Sequence, residues 1–210
     1  MIIGLVLPAL AIRTQQLLGG RRLPLPRPHF YWQTIVMQVV LYGLALVAAA
    51  TNLVVLRIVP RTPRAIWALA LFAVAVFALR RFWPMRSRES KSRLCDLLPH
   101  DRKELMPYLL LCVVAAIAEE VAYRGVAYWL VFRLTRSIPV SVLLVAGAFA
   151  LGHMVQGWRS VAVIFLFAIG FHAIVILGQS LLPAILVHFA YDALAGLVVP
   201  RWCAREGIED

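Results

Sequence analysis

The sequence predicts an all-α membrane protein, a polytopic helical bundle of about six transmembrane helices, or seven if residues 1–12 also span. Three observations carry that prediction. Hydrophobic residues make up 62% of the 210-residue chain and the mean hydropathy is +0.85, well above the apolar share of a soluble domain. The apolar residues fall in runs close to the ~20 residues that a helix needs to cross the hydrocarbon core. The basic residues, 21 Lys and Arg against 10 Asp and Glu, gather mostly between those runs.

Taken in order, the first stretch is MIIGLVLPALAI, residues 1–12. It is too short to span alone and carries Pro8, so it reads as an interfacial segment or part of a further helix. It lacks the basic start and small-residue cleavage site of a secretory signal. Residues 19–28, GGRRLPLPRP, form a Gly/Pro/Arg linker. Spans follow at 33–55 and 65–83, then a polar loop at 84–104, then spans at 106–132, 138–156, 160–178 and 181–199. No internal repeat is evident. The chain divides into an N-terminal membrane region at 1–104 (two helices and a basic loop), a core at 105–199 and a tail at 200–210.

Charge sets the orientation and the surface partner. Fifteen Lys and Arg fall on the side holding the 84–104 loop and the C-terminus, and five on the other. The positive-inside rule places the richer side in the cytoplasm. A soluble chain this basic would suggest nucleic acid, but no nucleic-acid fold or aromatic-basic platform is present. The anionic lipid surface is the simpler partner. Nineteen Arg against two Lys, with many Ala, suggests a GC-rich bacterial genome, and hence a bacterial cytoplasmic membrane. Cys95, Cys112 and Cys203 are odd in number and lack close spacing, so they offer neither a disulfide framework nor a zinc pattern. Cys112 lies in an apolar run and reads as a small packing residue.

The informative residues are the ionisable ones inside apolar runs. A charged group at bilayer depth costs roughly 2.5–3.5 kcal/mol on insertion scales, so it stays where it has a partner or a task. Of the ten acids, only Glu119, Glu120 and Asp192 lie deep in apolar sequence. Glu120 and Arg124 are four apart and share a helix face. Glu119 is rotated about 100° from Glu120, which leaves it no partner in its own helix beyond the Tyr123 hydroxyl. A carboxylate in an apolar pocket suits general-base work, while the plain alternative is an interhelical salt bridge. His153 follows Phe149 by one turn, and Phe149 could wall it from lipid. Gly147 and Gly152 nearby would allow close helix approach. His188 and Asp192 are again four apart, so Asp192 could hold the imidazole. His172 has no acid at helical spacing and reads as a bundle-facing histidine. Together these residues could trap a water between Glu119 and His153, with His188 and Asp192 facing a developing oxyanion. That is a layout for peptide hydrolysis without a Ser or Cys nucleophile.

The ordered set EExxxR, FxxxH and HxxxD resembles the signature of the CAAX-protease and bacteriocin-processing family. These are glutamic intramembrane proteases related to the Ras-converting CAAX endopeptidase. The matching positions are Glu119, Glu120 and Arg124; Phe149 and His153; His188 and Asp192. The resemblance covers roughly residues 105–199. It implies that Glu119 and His153 activate the attacking water, that His188 and Asp192 form the oxyanion site, and that Glu120 and Arg124 support the first helix. Family members often carry Asn where Asp192 stands. An ionised Asp would repel an oxyanion, so Asp192 must be protonated or must orient His188. The resemblance implies no cofactor. Zinc on Glu119, His153 and His188 is conceivable but disfavoured, as the chain has no HExxH. The expected activity is an intramembrane endopeptidase acting on a protein or peptide substrate. The alternatives are a non-catalytic membrane scaffold or bacteriocin-immunity protein and, lower, a proton-coupled transporter. The chain is short and unrepeated for transport.

Overall fold

The computed structural model describes residues 26–60, 63–84 and 88–208. The reading of residues 1–12 lies outside these, as does most of the 19–28 linker. Among the described residues the regular structure is entirely helical, as expected for an all-α bundle.

Helix α1 spans Arg27–Thr51 and starts with Pro28 in its first turn, where a missing N–H costs nothing. Helix α2 is Trp67–Phe82, entered through a 3₁₀ turn at Pro63–Ile66. The expected polar loop at 84–104 is not all loop, since a ten-residue helix, α3, occupies Arg88–Leu97. It is too polar to span, which is why hydropathy alone reads it as connection. Helix α4 is Arg102–Glu119, capped by the Asp101 carboxylate accepting from the Glu104 N–H at 2.8 Å. Glu104 reaches back to accept from the His100 N–H, also at 2.8 Å, so two orphan donors are satisfied near one helix start.

The chain then widens into a π-helical segment at Glu120–Ala127, closed by the Tyr128 N–H donating to the Tyr123 carbonyl, before α5 at Tyr128–Thr135. Helix α6 is Ile138–Gly152, with Ser137 as its cap. Helices α7 (Trp158–Gly178) and α8 (Leu182–Arg205) complete the bundle, the latter with Pro183 in its first turn.

Among the described residues, four helical stretches are long and apolar enough to cross a membrane: Arg27–Thr51, the continuous Arg102–Thr135, Trp158–Gly178 and Leu182–Arg205. The 34 residues of the second measure about 50 Å at ~1.5 Å per residue, well beyond a ~30 Å core. Helices α6 and α2 occupy two further expected spans but are shorter, at 15 and 16 residues.

Small residues make the core. Ala45 and Ala49 of α1, Val121 and Ala122 of the π segment, Ala146 of α6 and Ala168 of α7 are buried together, and small side chains let helices approach closely in a membrane. The glycines expected to serve this purpose do not. A Cβ at Gly152 would meet nothing within 4 Å, and one at Gly147 would only touch Phe165 at 4.0 Å. The close approaches fall at Gly125, where a Cβ would stand 2.8 Å from Leu56, and at Gly196, where a Cβ would run into the Tyr108 ring.

The two ends of the bundle are tied differently. At the basic end, α3 is fastened to the end of α8. Cys95 and Cys203 form a disulfide, Lys91 pairs with Glu206 at 2.6 Å, and the Trp83 indole donates to Glu206 at 3.0 Å. The disulfide corrects the reading of the cysteines. Its partners are 108 residues apart, a separation that no spacing rule detects. Cys112 is buried and free, as expected of a packing residue. At the other end, the segment after α1 lies across the start of α8. The Leu181 N–H donates to the Arg57 carbonyl at 2.8 Å, the Leu182 N–H to the Ile58 carbonyl at 3.3 Å, and Ser180 also bonds the Ile58 carbonyl.

Candidate active site

The first acid pair sits where α4 gives way to the π segment. In ordinary α-helix each residue advances about 100°, and the wider i→i+5 turn slows that advance. Glu119 and Glu120 both end up buried, at 8% and 0% exposure, with Arg124 at 1%. Glu120 Oε1 is 3.1 Å from Arg124 Nη1, the pairing the four-residue spacing predicts. The guanidinium is also held by aromatic faces, 4.2 Å from the Phe149 ring and 5.3 Å from the Phe171 ring. Such a sandwich suits a weakly hydrated, delocalised cation.

Glu120 has a second partner that sequence spacing does not reveal. Its Oε1 lies 2.9 Å from His188 Nδ1 on α8. A carboxylate only accepts, so Nδ1 carries the proton and the ring is pinned. His188 Nε2 then points between Asp192 Oδ2, at 3.5 Å, and Glu119 Oε2, at 3.8 Å. Both distances are long for a hydrogen bond. Asp192 is the more open of the two acids, with a third of its side chain exposed. Its backbone carbonyl accepts from the Tyr108 hydroxyl at 2.9 Å.

Phe149 does more than wall off lipid. Its ring packs 4.7 Å from His153, 5.1 Å from Tyr123 and 6.4 Å from His188, besides its contact with Arg124. His153 differs from expectation. The span read as 138–156 ends as helix at Gly152, and His153 is its C-cap. A 3₁₀ turn at Met154–Gln156 and Gly157, with φ of +88°, carry the chain into α7. Glycine is the residue that accepts that backbone angle freely, so the helix breaks here. The His153 ring folds back, with Nδ1 at 3.0 Å from the Phe149 carbonyl. A carbonyl cannot donate, so in the neutral ring Nε2 is left as the acceptor.

Glu119, Phe149, His153, His188 and Asp192 line one cavity of about 340 Å³. It runs from these residues toward Trp83, Leu94, Leu97 and Leu98 at the basic end. Its walls are largely apolar, including Phe30, Phe167 and Phe171. The structure thus gathers the seven motif residues into one neighbourhood, five on the cavity and Glu120 and Arg124 directly behind it. Among the described residues, no three His, Cys, Asp or Glu side chains converge in a metal-holding group. His172 does not line the cavity; it is buried with Nδ1 at 2.9 Å from the Ala168 carbonyl and its ring edge-on to Tyr128.

Three contributors escaped sequence reasoning. Gln38 on α1 donates from Nε2 to Glu119 Oε1 at 2.6 Å. Phe171 packs 5.6 Å from His188 as well as against Arg124. Tyr108 anchors the backbone of Asp192. Only Gln38 left a trace, as an amide in an otherwise apolar run. Phe171 is one more aromatic in an apolar helix, one place before the histidine that drew attention.

Comparison of the chain with curated proteins and with solved structures gives no match. The family model described as type II CAAX prenyl endopeptidase Rce1-like matches residues 101–194. That segment begins at the Asp101 cap of α4, ends just past Asp192, and contains all seven motif residues. Residues 101–194, a little under half of the chain and the part that carries the polar site, are thus similar to the Rce1-like family of CAAX proteases.

Proposed function

We propose that this chain is an intramembrane endopeptidase that hydrolyses a peptide bond with a water activated by Glu119 and His153. The observation that carries the reading is the convergence of Glu119, His153, His188 and Asp192 on one apolar-walled cavity. The water oxygen attacks the scissile carbonyl carbon. Its proton passes to Glu119, whose Oε2 has no hydrogen bond among the described residues, while His153 Nε2 accepts the water's other hydrogen. Glu119 then delivers the proton to the leaving amine as the carbon–nitrogen bond breaks. A positioned base of this kind is worth typically 10²–10⁴-fold.

His188 stabilises the oxyanion from Nε2. To do so while Nδ1 donates to Glu120, it must carry both protons. The three carboxylates around the imidazole, Glu119, Glu120 and Asp192, supply the countercharge, with Arg124 offsetting one of them. Asp192 serves this scheme as an orienting group beside His188, not as a contact to the oxyanion, which resolves the repulsion an ionised Asp would cause. Loss of one such donor costs about 10²–10³-fold.

The substrate is a membrane-associated protein or peptide, reached from the basic end, where the cavity runs. With the basic loops in the cytoplasm of a bacterium, that end is cytoplasmic and rests on anionic lipid. The scheme uses no metal. The test compares membrane proteomes of cells carrying wild-type, Glu119→Gln or His153→Ala protein, then assays the accumulated substrate with purified enzyme. Both variants should insert and fold yet leave the substrate uncut, and wild-type cleavage should persist in chelator. Wild-type rates from either variant would refute the assignment.

A further inference from the structure

Glu119 needs a hydrogen bond to aim it, and the family-matched segment does not provide one. Neither oxygen of this carboxylate has a hydrogen bond from within residues 101–194 among the described residues. Oε1 accepts from Gln38, and Oε2 has no hydrogen bond, with His188 Nε2 3.8 Å away. Gln38 belongs to α1, the helix packed most extensively against α4, and precedes the matched segment. On α1 it continues a stripe at four-residue spacing, Phe30, Thr34 and Gln38, and all three line the cavity. An amide in an apolar run is unfavourable unless it is hydrogen-bonded, and here its bond falls on the proposed base.

We infer that Gln38 is a positioning residue for the hydrolytic reaction, holding Glu119 by Oε1 so that Oε2 faces the water. The inference rests on the reading of Glu119 as the base and deepens it. A free carboxylate on a helix face turns about its last torsions, and that terminal torsion is broad and weakly restrained. A donor from a neighbouring helix at 2.6 Å locks it and selects which oxygen remains open. The site is then completed by a helix outside the motif-bearing half of the chain. The competing role is packing, since an interhelical Gln–Glu bond also joins two membrane helices. The two roles differ in what they change. Loss of aim lowers turnover at unchanged substrate binding, because the carboxylate acts in the transition state and not in the ground-state complex. Loss of packing lowers thermal stability, or changes KM, and leaves kcat alone in the protein that remains folded.

The experiment measures kcat, KM and melting temperature of full-length protein in lipid nanodiscs, with the substrate identified by the proteomic comparison. Gln38→Met keeps the side-chain length without a donor. Gln38→Glu keeps the shape and replaces the donor by an acceptor. Gln38→His offers a ring N–H near the lost amide. The expected result is a fall in kcat of about 10- to 100-fold for the Met and Glu variants, with KM within about twofold, and recovery of part of the loss in the His variant. If one of the first two fails to fold, the other decides. Wild-type kcat in either folded variant, or a loss confined to KM or to stability, overturns the inference. Glu119→Gln runs alongside. If it stays active, the base assignment fails and takes this inference with it. If it is dead while Gln38→Met is fully active, only the role of Gln38 falls.

Discussion

Removing the Glu120 carboxylate should cost more stability than removing any other acid of the site. Glu120 is fully buried and one oxygen holds both Arg124 Nη1, at 3.1 Å, and His188 Nδ1, at 2.9 Å. Glu120→Leu leaves the guanidinium buried beside two phenyl rings without its anion. Breaking a buried pair from one side costs about 3–5 kcal/mol. The lost bond to His188 is not additional in full, because both contacts share one carboxylate. At about 2–4 °C per kcal/mol for a chain of this size, the melting temperature should fall by roughly 6–20 °C. The double variant Glu120→Leu/Arg124→Met removes both charges and should recover most of that loss. It should not recover cleavage, since His188 has lost its Nδ1 anchor. The assay is built into the chain. Cys112 is a buried free thiol, so its reaction with a fluorogenic maleimide during heating reports unfolding in nanodiscs. A single variant that melts within about 2 °C of wild type, or a double variant no more stable than the single, would refute the account of this cluster.

The other predictions concern the supports of the site. Gly196→Ala drives a Cβ into the Tyr108 ring. It should cost about 1–3 kcal/mol and slow cleavage through the carbonyl of Asp192, while Gly152→Ala, in open space, should do neither. The hydrogen bond from Lys91 holds the Glu206 carboxyl below its ordinary range, with the Trp83 indole adding to it. A depressed folded value means that the clasp contributes fully above the unfolded value of about 4.3 and is lost as pH falls through the folded value. Exchange protection of the Trp83 indole N–H should therefore persist at neutral pH and be lost only as the pH falls below the ordinary carboxylate range, and Lys91→Met should weaken it at pH 7. Denatured, unreduced protein should titrate one thiol, Cys112, and three after reduction.

The class of the protein and the residues of the candidate site were legible in the sequence because both are written locally. Apolar run length marks a span, and four-residue spacing brought Glu120 to Arg124 and His188 to Asp192. What was not legible depends on distance or on backbone path. The Glu120–His188 bond crosses 68 positions and the Gln38–Glu119 bond 81. His153 reads as mid-helix by hydropathy, since hydropathy does not register the break that Gly157 introduces. Gly147 and Gly152 looked like packing notches because glycine permits close approach, but nothing requires a neighbour to use it. Helix α3 was hidden because a polar amphipathic helix and a polar loop have similar composition.

The widened turn at Glu120–Ala127 makes the chain vulnerable in an unusual way. Excision of a single residue there would let the segment close as a regular i→i+4 ladder. The stretch from Arg102 to Thr135 would remain greasy and far longer than a bilayer, so the insertion machinery would treat it as unchanged. Each side chain within the closed segment would nonetheless advance at the ordinary ~100° per residue, and the slower turn that buries Glu119 and Glu120 together beside Arg124 would be gone. Getting into the membrane depends on bulk oiliness, whereas cutting a peptide depends on angular phase. One missing codon could therefore produce an abundant, correctly threaded and chemically silent protein.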